Sequence, residues 1–285
     1  MSWTVWVATL LAAREVIPGD DADLTQILRD PEARDALTRD ADTGTSLAPL
    51  AGYIRASISP HRLAHWDEAA KRLLATGTEV RVAGDPDYPR LLAQCWDAPP
   101  FLFVSGALVE RERVAIVGSR DASPDVLRAT AAVAEAAALK GLEVVSGLAH
   151  GVDSAAHLGA LRANGTTLAV MGTGIERVFP EENWELAIAI RNQGALISQF
   201  PPDAPGSSTS FLIRNHTIAG LTPISFVMAG KERSGSRNEA QAAVAYGRRV
   251  VFWEPALGDQ RWARELVTAG RAEFFTQPDE VLERA

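Results

Sequence analysis

The chain is expected to fold as an α/β protein: a mostly parallel sheet with helices on both faces, preceded by a small helical domain. Three observations lead there. From Arg113 onward, short and uniformly apolar segments alternate with Ala-rich helical stretches, the pattern of strands buried on both faces. Before about Thr76 that alternation is missing, and Ala, Leu, Asp and Arg dominate. The length of 285 residues, with 47% hydrophobic and 22% charged residues, accommodates one large domain and one small one around ordinary cores. The expected division is 1–76 for the helical domain and 77–285 for the α/β domain.

In chain order, helical stretches are expected at Trp3–Arg14, Leu24–Leu28, Pro31–Thr38, Leu47–Ala56 and His61–Thr76. Pro18-Gly19-Asp20 and Thr43-Gly44-Thr45 punctuate them. Glu79–Ala83 reads as a strand, followed by the turn-rich Gly84 to Pro89, a helical turn within Leu91–Trp96, and a strand at Phe101–Ser105. The later strands are Val114–Val117, Glu143–Ser146, Thr167–Met171, Ala195–Ser198, Ile224–Met228 and Arg249–Trp253, with helices such as Val126–Leu139 and Ala155–Asn164 between them. Ala204–Ser210 is the most loop-like stretch of the second half. Together these define a Rossmann-like arrangement.

The single cysteine, Cys95, allows no intrachain disulfide and fits a reducing, cytoplasmic compartment. The apolar run Trp3–Ala13 is too short to span a bilayer and is expected to be a buried helix, so no membrane partner is anticipated. The net charge of −8 means that any phosphate-binding surface must come from a local cluster of cations.

Open α/β sheets bind ligands beyond the carboxyl ends of their strands. Four segments there carry candidate chemistry. Gly118-Ser119-Arg120 pairs a glycine that lets backbone approach an anion with a guanidinium that can fork onto phosphate. Ser146-Gly147 opens a turn running to Asp153, where Asp153 or Ser154 suits a helix N-cap and free amides can hold an anion. His150 and His157 lack matching metal-ligand spacing, so packing histidines are expected rather than a metal site. Gly172-Thr173-Gly174 lacks the third glycine of a dinucleotide fingerprint, and no nicotinamide or other cofactor is expected. The last candidate is the pair Arg214-Asn215-His216 and Ser234-Gly235-Ser236-Arg237, a second potential cradle with Arg233 nearby.

These segments, in this order, resemble the DNA-processing DprA (Smf) family. The resemblance rests on Val114 to Arg120, Val145 to Asp153 with Ala156-His157, Leu168 to Gly174, Phe179-Pro180, Ile197 to Pro202, Phe211 with Arg214-Asn215, Ile218 to Leu221 and Ser234 to Ser236. It covers roughly residues 77 to 275, and upstream Gly84 to Pro89 and Ala98-Pro99-Pro100 with Gly106 agree with it. It implies a homodimeric protein, not an enzyme, that binds single-stranded DNA, protects incoming strands in natural transformation and hands them to the recombinase RecA. Gly118, Ser119, Arg120, Gly147, Arg214, Asn215, Ser234, Gly235 and Ser236 match the family's phosphate-binding loops. The chain departs from the family pattern at Thr166, where many relatives have lysine, at His216, at Met228-Ala229-Gly230 and at Arg237-Asn238-Glu239. No appended winged-helix domain is expected.

A second class stays open. LOG-type nucleoside-monophosphate phosphoribohydrolases share the superfamily. Arg214 with Gly235-Ser236-Arg237-Asn238-Glu239 resembles their Arg and Gly-rich, Glu-ended loop. In that reading Glu239 stabilises a developing cation on the sugar. A nucleotide-binding protein and a scaffold without catalysis are the remaining alternatives. The surroundings of Glu239 discriminate: an enclosed pocket favours the enzyme, an open basic groove favours DNA.

Overall fold

The computed structural model describes residues 2–17, 21–38 and 46–284; the predicted breaks at Pro18 to Asp20 and Thr43 to Thr45 lie outside them. Two compact units are present, Met1–Ser105 and Gly106–Ala285.

The first unit contains α1 (Trp3–Val16), α2 (Ala22–Arg29), α3 (Pro31–Thr38), α4 (Ala48–Ser57), α5 (Pro60–Ala75), β1 (Glu79–Val82), α6 (Arg90–Ala93) and β2 (Phe101–Gly106). Two of its helices start on serine caps: Ser2 Oγ accepts from Val5 N and Ser59 Oγ from Arg62 N. Val7 to Ala13 of α1 are all buried, as expected for a core helix. Strands β1 and β2 pair antiparallel, Glu79 opposite Val104 and Val82 opposite Phe101.

The second unit is the parallel sheet. Its strands are β3 (Arg113–Val117), β4 (Glu143–Ser146), β5 (Thr167–Met171), β6 (Ala195–Ser198), β7 (Ile224–Val227), β8 (Arg249–Trp253) and β9 (Glu273–Phe275). They lie in the order β6-β5-β4-β3-β7-β8-β9, and each neighbouring pair is parallel. Strands β3 to β7 are buried along their whole length, which explains their predominantly apolar sequence. The connecting helices are α7 (Pro124–Leu139), α8 (Val152–Arg162), α9 (Trp184–Gln193), α10 (Ser208–Leu221), α11 (Gly235–Ala245), α12 (Glu254–Leu257), α13 (Arg261–Thr268) and α14 (Val281–Arg284). Strand order reverses between β3 and β7, so the crevice at their carboxyl ends is a topological switch point, where such sheets bind ligands.

Three local expectations are corrected. Strand β9 carries too short and mixed a pattern to announce itself: Glu273 is exposed, Phe274 half-buried and Phe275 buried. Ser208-Thr209-Ser210 is helical, because Ser207 and Ser210 form a reciprocal capping box that starts α10. Arg214-Asn215-His216 therefore lies inside a helix and not in a loop. The cap of α8 is Gly151, at φ +75°, with Asp153 already in the first turn.

Candidate anion-binding cleft

The loop after β3 begins with Gly118. A Cβ there would stand 2.6 Å from the Val152 side chain, so glycine lets the start of α8 lie against the loop. Ser119 Oγ then accepts from Asp121 N at 3.1 Å. Arg120 is exposed, and its guanidinium carbon sits 5.2 Å from the centre of the Phe211 ring.

The turn after β4 supplies the floor. Ser146 is fully buried, its hydroxyl donating to Ile116 O at 2.6 Å at the β3–β4 junction, and it also stands close enough to Asp153 to help hold that carboxyl down. Gly147 makes room for Arg214: a Cβ would collide with that guanidinium and lie 2.5 Å from Asp153 Oδ2. Asp153 Oδ2 accepts from Ala149 N at 3.2 Å, closing the turn. Burial pushes the Asp153 carboxyl above the usual range, while Arg214 pulls it down.

Arg214 is 5% exposed. Its Nη1 donates to Gly147 O and to Val170 O (2.6 Å), and its Nε donates to Asn215 Oδ1 at 3.1 Å. Nη2 has no hydrogen-bond partner among the described residues, which leaves it for a ligand. Asn215 in turn donates to Gly235 O at 3.0 Å, tying α10 to the start of α11. Ser234 caps α11, accepting from Arg237 N at 3.3 Å, and leaves the helix amino end pointing at the crevice.

These parts meet in one cleft of about 400 Å³. Its lining includes Gly118, Ser119, Arg120, Arg214, Asn215, Ser234, Gly235 and Ser236. An adjoining cavity of about 380 Å³ shares Arg120, Phe211 and Arg214 with it and adds Gly147, His150, Phe179 and Pro180. The Phe211 ring lies near both the Arg120 and the Arg214 guanidiniums, at 5.2 and 6.0 Å, and 5.6 Å from the Phe179 ring. Phe211 entered the sequence reading only as a family match. Its place beside Arg120 is a tertiary fact, whereas Arg214 is its i, i+3 neighbour on α10.

Besides Ser146, two further candidates lie outside both cavities. His216 Nδ1 is 3.1 Å from Tyr246 Oη, and the rings meet edge to face. Arg237 turns back on Glu232, donating to its backbone oxygen at 2.8 Å and pairing with its carboxylate. Arg233 is exposed and lines neither cavity. Gly172 and Gly174 serve packing, since a Cβ would strike Phe211 and the Pro201–Pro202 backbone respectively.

Neither His150 nor His157 belongs to a metal-ligating cluster among the described residues. His157 is fully buried against the Thr167 hydroxyl at 2.7 Å, and burial lowers its pKa to about 3, so it is neutral. His150 is exposed, 3.7 Å from Glu182. Glu239 forms part of the cleft wall but is 1% exposed. Burial raises its pKa to about 8, against a lowering hydrogen bond from Ser225. Burial and the nearby Asp153 thus favour its neutral form, the opposite of the carboxylate that the glycosidic reading requires.

Together these features define an α/β protein with a candidate anion-binding cleft at the switch point of its sheet. Residues 79–285 match the family model of DNA recombination-mediator protein A, and the chain belongs to that family. It is 30% identical over 213 residues to the DNA processing protein DprA of Bacillus subtilis, a match covering 72% of each chain. It is 36% identical over 201 residues to Protein Smf of Escherichia coli, covering 69% of this chain and 54% of that one. With Protein Smf of Synechocystis the identity is 38% over 172 residues, covering 58% and 43%. The matches thus span about half the length of these last two relatives. The solved DprA structure from Streptococcus pneumoniae superposes with a TM-score of 0.71 at 28% identity, covering 92% of this chain and 95% of that one. DNA processing protein A from Helicobacter pylori, described for its single-stranded DNA binding mode, shares the fold at a TM-score of 0.65 and 23% identity, covering 73% and 94%.

Proposed function

We propose that this chain binds single-stranded DNA in the cleft, without catalysis, as a cytoplasmic homodimer that protects incoming strands and passes them to the recombinase RecA. The observation that carries the strand-binding reading is the arrangement around Phe211. Two guanidiniums lie close to one aromatic ring beside a helix amino end and two glycine turns. Cations and backbone amides suit phosphates, and a ring beside them suits a base, the combination that sequence-tolerant strand binding needs. The roles assigned to Gly118, Ser119, Arg120, Gly147, Arg214, Asn215, Ser234, Gly235 and Ser236 belong to this proposal. So do dimerisation and RecA transfer, which rest on family membership. Ser146, His216 and Arg237 hold no phosphate in this reading, because none of the three lines the cleft.

The test is a salt titration of binding to a labelled oligonucleotide. Arg120→Ala leaves the fold intact, since the side chain is exposed, and flattens the dependence of log affinity on log salt by about 0.7, the share of one phosphate left without its cation. Absence of binding by the unmodified protein, even at low salt, removes the strand reading in favour of a nucleotide or scaffold role. Free base released from nucleoside monophosphates by the unmodified protein, and not by Glu239→Gln, restores the enzyme reading.

A further inference from the structure

Glu239 sits in the wall of the cleft, yet no donor described above needs it. Ser225 Oγ donates to its Oε1 at 2.6 Å. Oε2 is buried and has no hydrogen-bond partner among the described residues. Since the hydroxyl proton of Ser225 occupies Oε1, a protonated carboxyl carries its own proton on Oε2. That proton needs an acceptor, and among the described residues none is within reach. Four charged groups share the cleft with it: Asp153 from α8, Arg214 from α10, and Arg120 and Asp121 from the loop after β3. Ser225 faces it from β7, and Arg237 on its own helix is engaged with Glu232. With Glu239 neutral, two cations face two carboxylates, one of them exposed. With Glu239 ionised, three anions face two cations, and two of the anions are buried.

We propose that Glu239 is a proton-operated gate of the cleft: its neutral carboxyl admits a phosphate beside Arg214 and the amino end of α11, and its ionised form turns the phosphate away. The proposal deepens the strand-binding reading and rests on it. Burial and the nearby Asp153 both push Glu239 upward, to about 8, so the gate changes state just above neutral pH. An incoming phosphate oxygen, or a water bridging to it, is the acceptor that the Oε2 proton lacks. Ionisation places a like charge behind the anion in a poorly solvated wall, where repulsion is much stronger than in water.

The experiment measures binding of a labelled oligo-dA, whose bases do not titrate in this range, at pH 6.5 and pH 9 and constant salt. The unmodified protein is expected to lose affinity on the order of tenfold between the two. In Glu239→Gln, which keeps the shape and has no proton to lose, the ratio stays within about twofold. An equal fall in both proteins, or no fall in the unmodified one, overturns the gate. Inorganic pyrophosphate, followed by thermal shift in the same four conditions, separates the gate from the strand reading. If oligo-dA does not bind at pH 6.5 but pyrophosphate stabilises the unmodified protein only at the lower pH, the strand reading fails and the gate stands. If neither probe binds, the gate is overturned too.

Discussion

The two ends of the parallel sheet handle buried charge in opposite ways. At the amino end, Arg113 opens β3 and Glu143 opens β4, and they are register partners. They are 4% and 1% exposed, with Nε and Oε2 2.6 Å apart, and Arg113 also reaches Val109 O. At the carboxyl end Arg214 is as deeply buried, but it is tied to two carbonyls and an amide, with one nitrogen left over. Asp153 is fully buried beside it, and Glu239 Oε2 has no partner among the described residues. The amino end closes on itself. The carboxyl end keeps polar groups desolvated and incompletely matched, which is what a binding site requires and a purely structural contact avoids.

The contrast can be broken first at Arg113. Arg113→Met leaves Glu143 buried without its cation and is expected to lower stability by about 3–5 kcal/mol in urea unfolding. The further change Glu143→Leu recovers most of that loss, because a packed apolar pair replaces the ions. A loss of strand binding in the folded double variant would show that the amino end is not merely structural. Gly147→Ala attacks the other end. The new methyl displaces the Arg214 guanidinium, costs about 1–3 kcal/mol, and lowers strand affinity in protein that is still folded.

Glu239→Gln has the opposite sign for stability. The unfolded carboxyl titrates near 4.5 and the folded one near 8, so the native state holds the extra proton between those values. Stability contributed by that proton therefore falls as pH rises from 4.5 to 8 and is level above. The Gln variant lacks this fall. Its melting temperature should exceed that of the unmodified protein by a few degrees at pH 8. The gap should close as pH approaches 4.5. A constant gap across that range would mean that Glu239 is ionised in the fold. The smallest effect belongs to Ser234→Ala, which removes the α11 cap and costs about 1 kcal/mol, read as a small shift of the urea midpoint.

Much of the sheet was legible because burial on both faces leaves an apolar run that polar turns delimit. Glu143–Ser146, Thr167–Met171, Ala195–Ser198 and Arg249–Trp253 have the ends that the pattern predicts. β9 escaped because three residues of mixed exposure carry no period. The glycine turns of the cleft were legible as turns, since Gly118 and Gly147 follow strands directly. The setting of Arg214 was not. An arginine beside Asn215 and His216 reads as a surface residue, and only the carbonyls of Gly147 and Val170, distant in sequence, make its burial tolerable. The contacts of Phe211 with Arg120 and Phe179 were hidden for the same reason: those partners are far along the chain. Ser146, His216 and Arg237 show the converse, residues of a suitable type whose hydrogen bonds are already spent inside the fold.

Gly151 has a mechanical consequence. At φ +75° any side chain is strained, and a Cβ would lie 2.5 Å from the carbonyl oxygens of both Ser119 and Arg120. The turn after β4 therefore touches the loop after β3 backbone to backbone, and Val152 N donates to Ser119 O at 3.2 Å. Neither segment has slack to move without the other. In the strand-binding proposal the seat for an anion is thus assembled before anything arrives, so arrival freezes little new motion there. In hydrogen exchange, the Val152 amide should open with the slow unfolding of the sheet and not with the faster fluctuations of surface loops.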